Sequence, residues 1–370
     1  MIFQPKSIAK YIYYCLIIQY STNNDYLCTM VKQQTEIPTK QDIATVSVVL
    51  CTYNGEKYLR EQLDSVVNQT YPLHEIIIQD DGSTENTLQI ANEYADQHDN
   101  IIVRTNSHEH GINSNFFSAI RSSTGDFIAI CDQDDIWERN KIARQMEAID
   151  DALMCTCHSK AFSEDGSFAH FDCRKPNYGL LRLLFCNEIP GHTMLINRRL
   201  LDLLPPQNEC EVMYGIRMYD FILAITAAAH ESIMFVDEVL VHHRRYVDAA
   251  TYTAYSGSLH SLSNATKIVA WSLTHYKAMK KATAERHTAL KDYLQHLTPQ
   301  TGVCAEGIKF MELMLSHRFI DFTRLEIMCL KHRSEIFHTP GKDPSNILRA
   351  LLFPFTSLYY SHFLLNKSEK

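Results

Sequence analysis

The sequence predicts an α/β protein with a mostly parallel central sheet flanked by helices, followed by a helical C-terminal region. Three observations lead there. From Val46 onward short apolar runs alternate with amphipathic stretches, the pattern of strands joined by covering helices. The apolar runs stop at polar, often acidic, clusters, and parallel strands that run one way bring such clusters to one edge of the sheet. Beyond Tyr255 helical periodicity takes over and the charge changes sign, with 20 Lys+Arg against 34 Asp+Glu in residues 1–255 and 15 against 9 in residues 256–370.

Taken in order, residues 1–42 read as an N-terminal extension, poorly ordered or interfacial. The run YIYYCLIIQY (Tyr11 to Tyr20) is too short for the roughly 20 apolar residues of a membrane-spanning helix, and no small-residue cleavage site follows it. Residues 1–29 are either an upstream extension of a protein starting at Met30 or an interfacial helix. VSVVLC (Val46 to Cys51) is a buried strand, and Tyr58 to Gln69 is a helix with Leu59, Leu63, Val66 and Val67 at helical spacing. EIIIQ (Glu75 to Gln79) is the next strand, then a helix near Thr87 to Gln97 and the strand IIVRT (Ile101 to Thr105). A helix around Asn115 to Ser122 and the turn Thr124-Gly125-Asp126 lead into FIAIC (Phe127 to Cys131), apolar on both faces and therefore central. These elements belong to a domain spanning 43–255. In the basic helical region, 256–370, Leu290, Tyr293, Leu294 and Leu297 sit at i, i+3, i+4 and i+7, a core-facing stripe. The aromatic segment Ile347 to Lys367 either lies at a membrane interface or docks on the core; Pro354 and its polar residues argue against a span.

Composition removes several function classes. With 45% hydrophobic and 21% charged residues the chain is globular rather than disordered, and a net charge of -8 gives no overall footprint for nucleic acid. The 11 cysteines form no CxxC pair, which indicates reduced thiols in a cytoplasmic protein, and Cys155-x-Cys157 reads as core rather than zinc ligand.

The chemistry concentrates in acids at strand ends. Asp80 and Asp81 follow EIIIQ, and one of them can cap a helix while the other binds a ligand. Asp132-Gln133-Asp134-Asp135 follows FIAIC; in an extended segment Asp132 and Asp134 project to the same side and can share a divalent cation, Mg²⁺ or Mn²⁺. Asp220 opens the apolar helix FILAITAAA, as a helix N-cap, as a proton acceptor, or both.

Several segments together resemble glycosyltransferases of family 2, with the GT-A (Rossmann-like) fold, and especially rhamnosyltransferase-like bacterial members. They are VSVVLCTYNGEKYLREQLDSVVNQTY, IIIQDDGSTENT, GDFIAICDQDDIW, PGHTMLINRRLL and MYDFILAITAA, covering about Val46 to Ala250. The resemblance implies that Cys51, Tyr53, Asn54, Asp81 and Asp132 line the nucleotide-sugar pocket. It implies that Asp132 and Asp134 hold the metal, Asp134 directly, and that Asp220 is the catalytic base. His192, in the segment Gly191 to Met194, falls on the acceptor side. Relatives often carry a YRxH-like element after the sheet; here it is His242-His243-Arg244-Arg245-Tyr246, with His and Tyr exchanged, and His243 and Arg244 stand where they would reach metal or diphosphate.

The expected protein is an inverting, metal-dependent glycosyltransferase moving a sugar from a nucleoside diphosphate to a hydroxyl of a glycan or lipid-linked acceptor, in cell-surface polysaccharide synthesis. Its expected place is the cytoplasm, with peripheral contact at the inner face of the plasma membrane as an option. Two alternatives stand beside it: an inactive sugar-nucleotide binder, and a metal-dependent phosphoryl-transfer enzyme of haloacid-dehalogenase type. The second is weakened because Asp132-Gln133-Asp134 ends a later strand rather than the first.

Overall fold

The computed structural model describes residues 43–107, 109–164, 175–246, 262–337, 344–359 and 361. The expected extension, 1–42, lies outside them, apart from which the chain from Thr45 onward packs as one unit. Among the described residues eight strands, numbered in chain order, form one sheet in the order β3-β2-β1-β4-β7-β6-β8-β5. β1 (Val46–Thr52), β2 (Glu75–Asp80), β3 (Ile101–Thr105) and β4 (Phe127–Cys131) pair in parallel. Their crossovers are α1 (Leu59–Val67), α2 (Thr87–Ala95) and α3 (Ile112–Ser122). This half matches the sequence reading closely, because each strand is a short apolar run bounded by polar residues.

The second half is mixed. β7 (Leu195–Asn197) runs antiparallel to β4 and to β6 (Met154–Phe162), whereas β8 (Ile233–Arg244) is parallel to β6 and pairs antiparallel with the two-residue β5 (Ile136–Trp137). A register shift at Cys157–Ser159 bends β6 against β8. β6 and β8 carry thiols, histidines and acids among their apolar residues, so their strand character is weak in the one-dimensional pattern. Cys155 and Cys157 are buried in this sheet as core residues.

The sheet separates two cores, as a period of two requires. Val46, Val48 and Leu50 of β1 face Leu59, Leu63, Ile90 and Ile142, the last on α4 (Lys141–Ile149). Val49 and Cys51 face the other way, toward Phe116, Phe117 and the C-terminal helices. α8 (Tyr219–Ala229) is buried almost throughout and lies in that second core. It is preceded by three short helices, α5 (Leu180–Leu183), α6 (Arg199–Asp202) and α7 (Glu211–Ile216). Among the described residues five helices follow β8: α9 (Leu262–His296), α10 (Gly302–Leu315), α11 (Phe319–Lys331), α12 (Arg333–Ile336) and α13 (Pro344–Thr356). The stripe Leu290, Tyr293, Leu294 and Leu297 is fully buried in the same core, worth about 1.5–3 kcal/mol for each aliphatic side chain. Among the described residues no helix is long and apolar enough to cross a membrane.

Candidate functional site

The carboxyl ends of β1, β2 and β4 meet at one edge of the sheet, and the loops that leave them are fastened to one another. Asn54, in the left-handed region at φ 48°, donates its N–H to Ser83 Oγ (2.8 Å) and accepts from the Thr84 N–H at Oδ1 (2.9 Å). Gln133, the middle residue of Asp132-Gln133-Asp134, brackets the backbone of Tyr53. Its Oε1 accepts from the Tyr53 N–H (2.9 Å) and its Nε2 donates to the Tyr53 carbonyl (3.1 Å). Gly55 lies against this clamp: a Cβ there would lie 2.4 Å from Gln133 Oε1, so the Gln133 side chain would have to shift. The Tyr53 ring itself is exposed. Cys51 is buried under this junction; burial pushes its thiol well above the usual range, and Asp132 and Asp81 add to that.

The acid that ends β2 and the one that follows it have separate tasks. Asp80 is fully buried and accepts from Thr52 Oγ1 (2.9 Å) and from the N–H groups of Gly82 (3.0 Å) and Ser83 (2.8 Å). It fastens the loop. Asp81 lies further out and accepts from Asn106 Nδ2 (2.7 Å) and the Gly111 N–H (2.8 Å), with His110 Nδ1 3.2 Å away.

After β4 the acids gather with two histidines. Asp135 is fully buried; its Oδ1 accepts from His243 Nδ1 (2.9 Å) and the Arg244 N–H (3.0 Å), while Oδ2 has no hydrogen bond although His192 Nδ1 stands 3.4 Å away. The same His192 nitrogen is 3.4 Å from Asp132 Oδ2, its Nε2 meets Ser159 Oγ at 2.9 Å, and its ring stacks on His243 with centroids 4.7 Å apart. Burial opposes protonation of His192, but Asp135 and Asp132 outweigh it and raise its pKa. Burial likewise opposes ionisation of Asp135, yet His192, His243 and the Arg244 N–H hold its pKa below the usual carboxylate value. Asp134 accepts from the Tyr246 hydroxyl (2.6 Å), and burial, then Asp135 and Asp132, raise it to about 6.

Asp135, His192 and His243 offer three ligand atoms that lie within 4.8 Å of one another. A buried carboxylate oxygen without a donor, facing two imidazoles, suits a divalent cation of the Mn²⁺ type, which accepts both oxygen and nitrogen ligands. The sequence reading placed the ion on Asp132 and Asp134; among the described residues the ligand trio that the structure brings together is instead Asp135, His192 and His243, with Asp132 3.4 Å from His192. Nothing local in the sequence separates Asp135 from its two neighbours or shows that β8 returns beside β5, so neither Asp135 nor Tyr246 stands out there as a site residue.

Arg244 is 4% exposed and its guanidinium is engaged by protein groups. Nε donates to the Asp134 carbonyl (3.0 Å), Nη2 meets Glu61, Nη1 is 3.4 Å from Glu164, and the rings of Tyr58 and Phe162 lie within 4.4 and 4.7 Å. In this arrangement it holds the Asp134 backbone.

The residue after His192 is held from behind. Lys141, fully buried, lies 3.8 Å over the Trp137 ring and donates to Gln145 Oε1 (2.9 Å), while Gln145 Nε2 donates to the Thr193 carbonyl (2.8 Å).

Asp220 sits in the first turn of α8 rather than at its N-cap, which is Met218. Oδ1 accepts from the Phe221 N–H (2.6 Å) and Oδ2 from Asn187 Nδ2 (3.0 Å). Burial raises its pKa to about 6, with Asp132 adding to the shift and His192 opposing it, so the carboxyl lies within electrostatic reach of the metal-type cluster. Two contacts place it there. Asn113 donates to the Arg217 carbonyl (2.7 Å) and accepts from the Tyr219 N–H (2.8 Å). The Tyr219 hydroxyl packs on Gly191, where an added Cβ would be 2.1 Å from it. That contact locks the start of α8 to the turn bearing His192.

These features define an α/β protein of GT-A type with an acidic site at the carboxyl edge of its sheet. Residues 47–205 match the family model described as "Glycosyl transferase family 2" and are a glycosyltransferase family 2 domain. An uncharacterized protein of Mycobacterium tuberculosis is 27% identical over 225 residues, 57% of this chain and 62% of that relative. The Escherichia coli UDP-Glc:alpha-D-GlcNAc-diphosphoundecaprenol beta-1,3-glucosyltransferase WfaP is 30% identical over 156 residues, 41% of this chain and 61% of that protein. The chain thus spans about 62% of the length of the first curated relatives it matches. Among solved structures, S. aureus TarS 1-349 in complex with UDP aligns over 88% of this chain and 92% of that one, at 14% identity and a TM-score of 0.49.

Proposed function

We propose that this chain is an inverting glycosyltransferase that moves a sugar from a nucleoside diphosphate to a hydroxyl of a glycan or lipid-linked acceptor in cell-surface polysaccharide synthesis. The observation that carries this is Asp220, a buried carboxyl raised to about 6 and in electrostatic reach of Asp132 and His192, beside the Asp135, His192 and His243 cluster. Cys51, Tyr53, Asn54 and Asp81 line the nucleotide side, at the ends of β1 and β2. The turn Gly191 to Met194, which carries His192, falls on the acceptor side. Asp135, His192 and His243, with Asp132 and Asp134 beside them, would hold Mg²⁺ or Mn²⁺. When bound, that ion supplies Lewis-acid neutralisation of charge on the departing diphosphate. Asp220 accepts the proton of the attacking hydroxyl, a role typically contributing about 10²–10⁴-fold. One displacement assisted by one base inverts the anomeric carbon. Residues 43–255 form the catalytic domain and 256–370 a basic helical region, in a cytoplasmic protein that meets the inner face of the membrane.

A thermal-shift panel of nucleoside-diphosphate sugars with and without Mn²⁺ tests this reading. UDP-glucose belongs in the panel because WfaP is named for it, and a nucleoside-diphosphate rhamnose because of the subgroup that the sequence resembles. Metal-dependent stabilisation by one donor is expected; a flat response to every donor refutes the proposal.

A further inference from the structure

The helices after residue 262 carry a surface that the site chemistry does not use. Among the described residues thirteen large apolar side chains are exposed, and seven of them lie on α9, α11 and α13. Phe319, 85% exposed, shares one side of α11 with Ile320 and Ile327, opposite the buried Leu325, Met328 and Cys329. Ile347, Leu348 and Leu351 likewise face out from α13, opposite Ala350 and Phe353.

Rings join the three helices into one face. Phe355 of α13 meets Tyr276 of α9 at 4.9 Å and Phe322 of α11 at 5.4 Å, and Trp271 of α9 meets Tyr359 at 5.2 Å. All five rings are half-buried, so each leaves part of its surface on this face. The rim is basic. Arg318 and Arg324 share one acid, Asp321, which leaves a positive charge over, and Arg349 is exposed between the outward leucines of α13. The whole region 256–370 holds 15 Lys+Arg against 9 Asp+Glu.

We infer that α9, α11 and α13 form a docking surface for an anionic bilayer. Phe319, Ile320, Ile327 and Leu348 enter the acyl boundary while Arg324 and Arg349 meet the headgroups. The inference deepens the proposed function, and rests on it only for the idea that the acceptor is lipid-linked.

The test is co-sedimentation of the full chain with vesicles of phosphatidylcholine alone and of phosphatidylcholine mixed with phosphatidylglycerol. Binding to the mixed vesicles that falls with salt is expected. Neutralising Arg324 and Arg349 together (Arg324→Gln with Arg349→Gln) should weaken partitioning by about fivefold per charge, and Phe319→Ser with Ile327→Ser should abolish it. Failure of the wild type to sediment with mixed vesicles, or undiminished sedimentation of the double-serine variant, overturns the inference. So does a dimer in light scattering that the double-serine change splits, which would assign the face to a second copy. Donor-induced thermal shifts of the same variants separate the two claims: vesicle binding lost with the donor response intact supports the surface, and a wild type without any donor response removes the proposed activity alone.

Discussion

Two Asp-Asp pairs stand at the same sheet edge, on either side of β1, and they have opposite fates. After β2, Asp80 and Asp81 have their oxygens met by protein donors: Thr52, Gly82 and Ser83 for the first, Asn106 and Gly111 for the second. After β4, Asp134 is raised to about 6 and Asp135 keeps a buried oxygen without a hydrogen bond. The first pair spends its lone pairs on the loop. The second holds acceptor capacity in a place where burial makes an unmet acceptor costly, about 1–3 kcal/mol, so a ligand that meets it is favoured. Identical residues at like positions are thus told apart by where the donors stand.

Substitutions can break this comparison. Asp135→Asn should have the largest effect, because it uncouples a buried charge from His192, His243 and the Arg244 N–H, a type of loss costing about 3–5 kcal/mol. The measurement is thermal unfolding with and without Mn²⁺. Loss of the metal response is expected, and an unchanged response would move the ion away from this trio.

Asp220→Asn should lower transfer by roughly 10²–10⁴-fold while donor-induced stabilisation survives. The wild-type rate should fall as pH drops through about 6, where Asp220 takes up its proton, and the residual rate of the variant should lack that limb. The stability sign is the reverse. A carboxyl whose folded pKa is raised contributes stability below its unfolded value and loses it as pH rises through about 6, so the variant should melt higher than wild type at alkaline pH. A variant that transfers sugar at the wild-type rate would exclude Asp220 as the base.

Asp80→Ala should cost about 2–4 kcal/mol by stranding buried donors of Thr52, Gly82 and Ser83, while leaving the Mn²⁺ response in place. Denaturant titration in the two conditions separates stability from ligand response. A lost metal response there would make the two pairs equivalent. The smallest effect belongs to Gln133→Ala, which removes an exposed clamp on Tyr53 worth about 1 kcal/mol and should raise the KM for donor more than it lowers Tm.

Much of the fold was legible in the residues. Periodicity located β1 through β4 and their helices within a few residues, although α3 begins at Ile112 rather than near Asn115 because Gly111 turns the chain earlier. β6 and β8 were harder to see, since thiols, histidines and acids interrupt their apolar alternation. The helical stripe from Leu290 to Leu297 was visible, but not that it would join the core beneath the sheet.

By itself the sequence determined the alternating α/β order, the acids at the strand ends, Asp220 at the head of an apolar helix, and the basic helical tail. Those follow from local periodicity and residue type, which a linear chain displays directly. Only the tertiary structure decided that Asp80 is a fastener, that Arg244 is held by Glu61 and the Asp134 carbonyl, and that His192 and His243 stack beside Asp135. A hydrogen bond depends on which donor the fold brings within about 3 Å, and here those donors come from chain positions as distant as 183 residues apart.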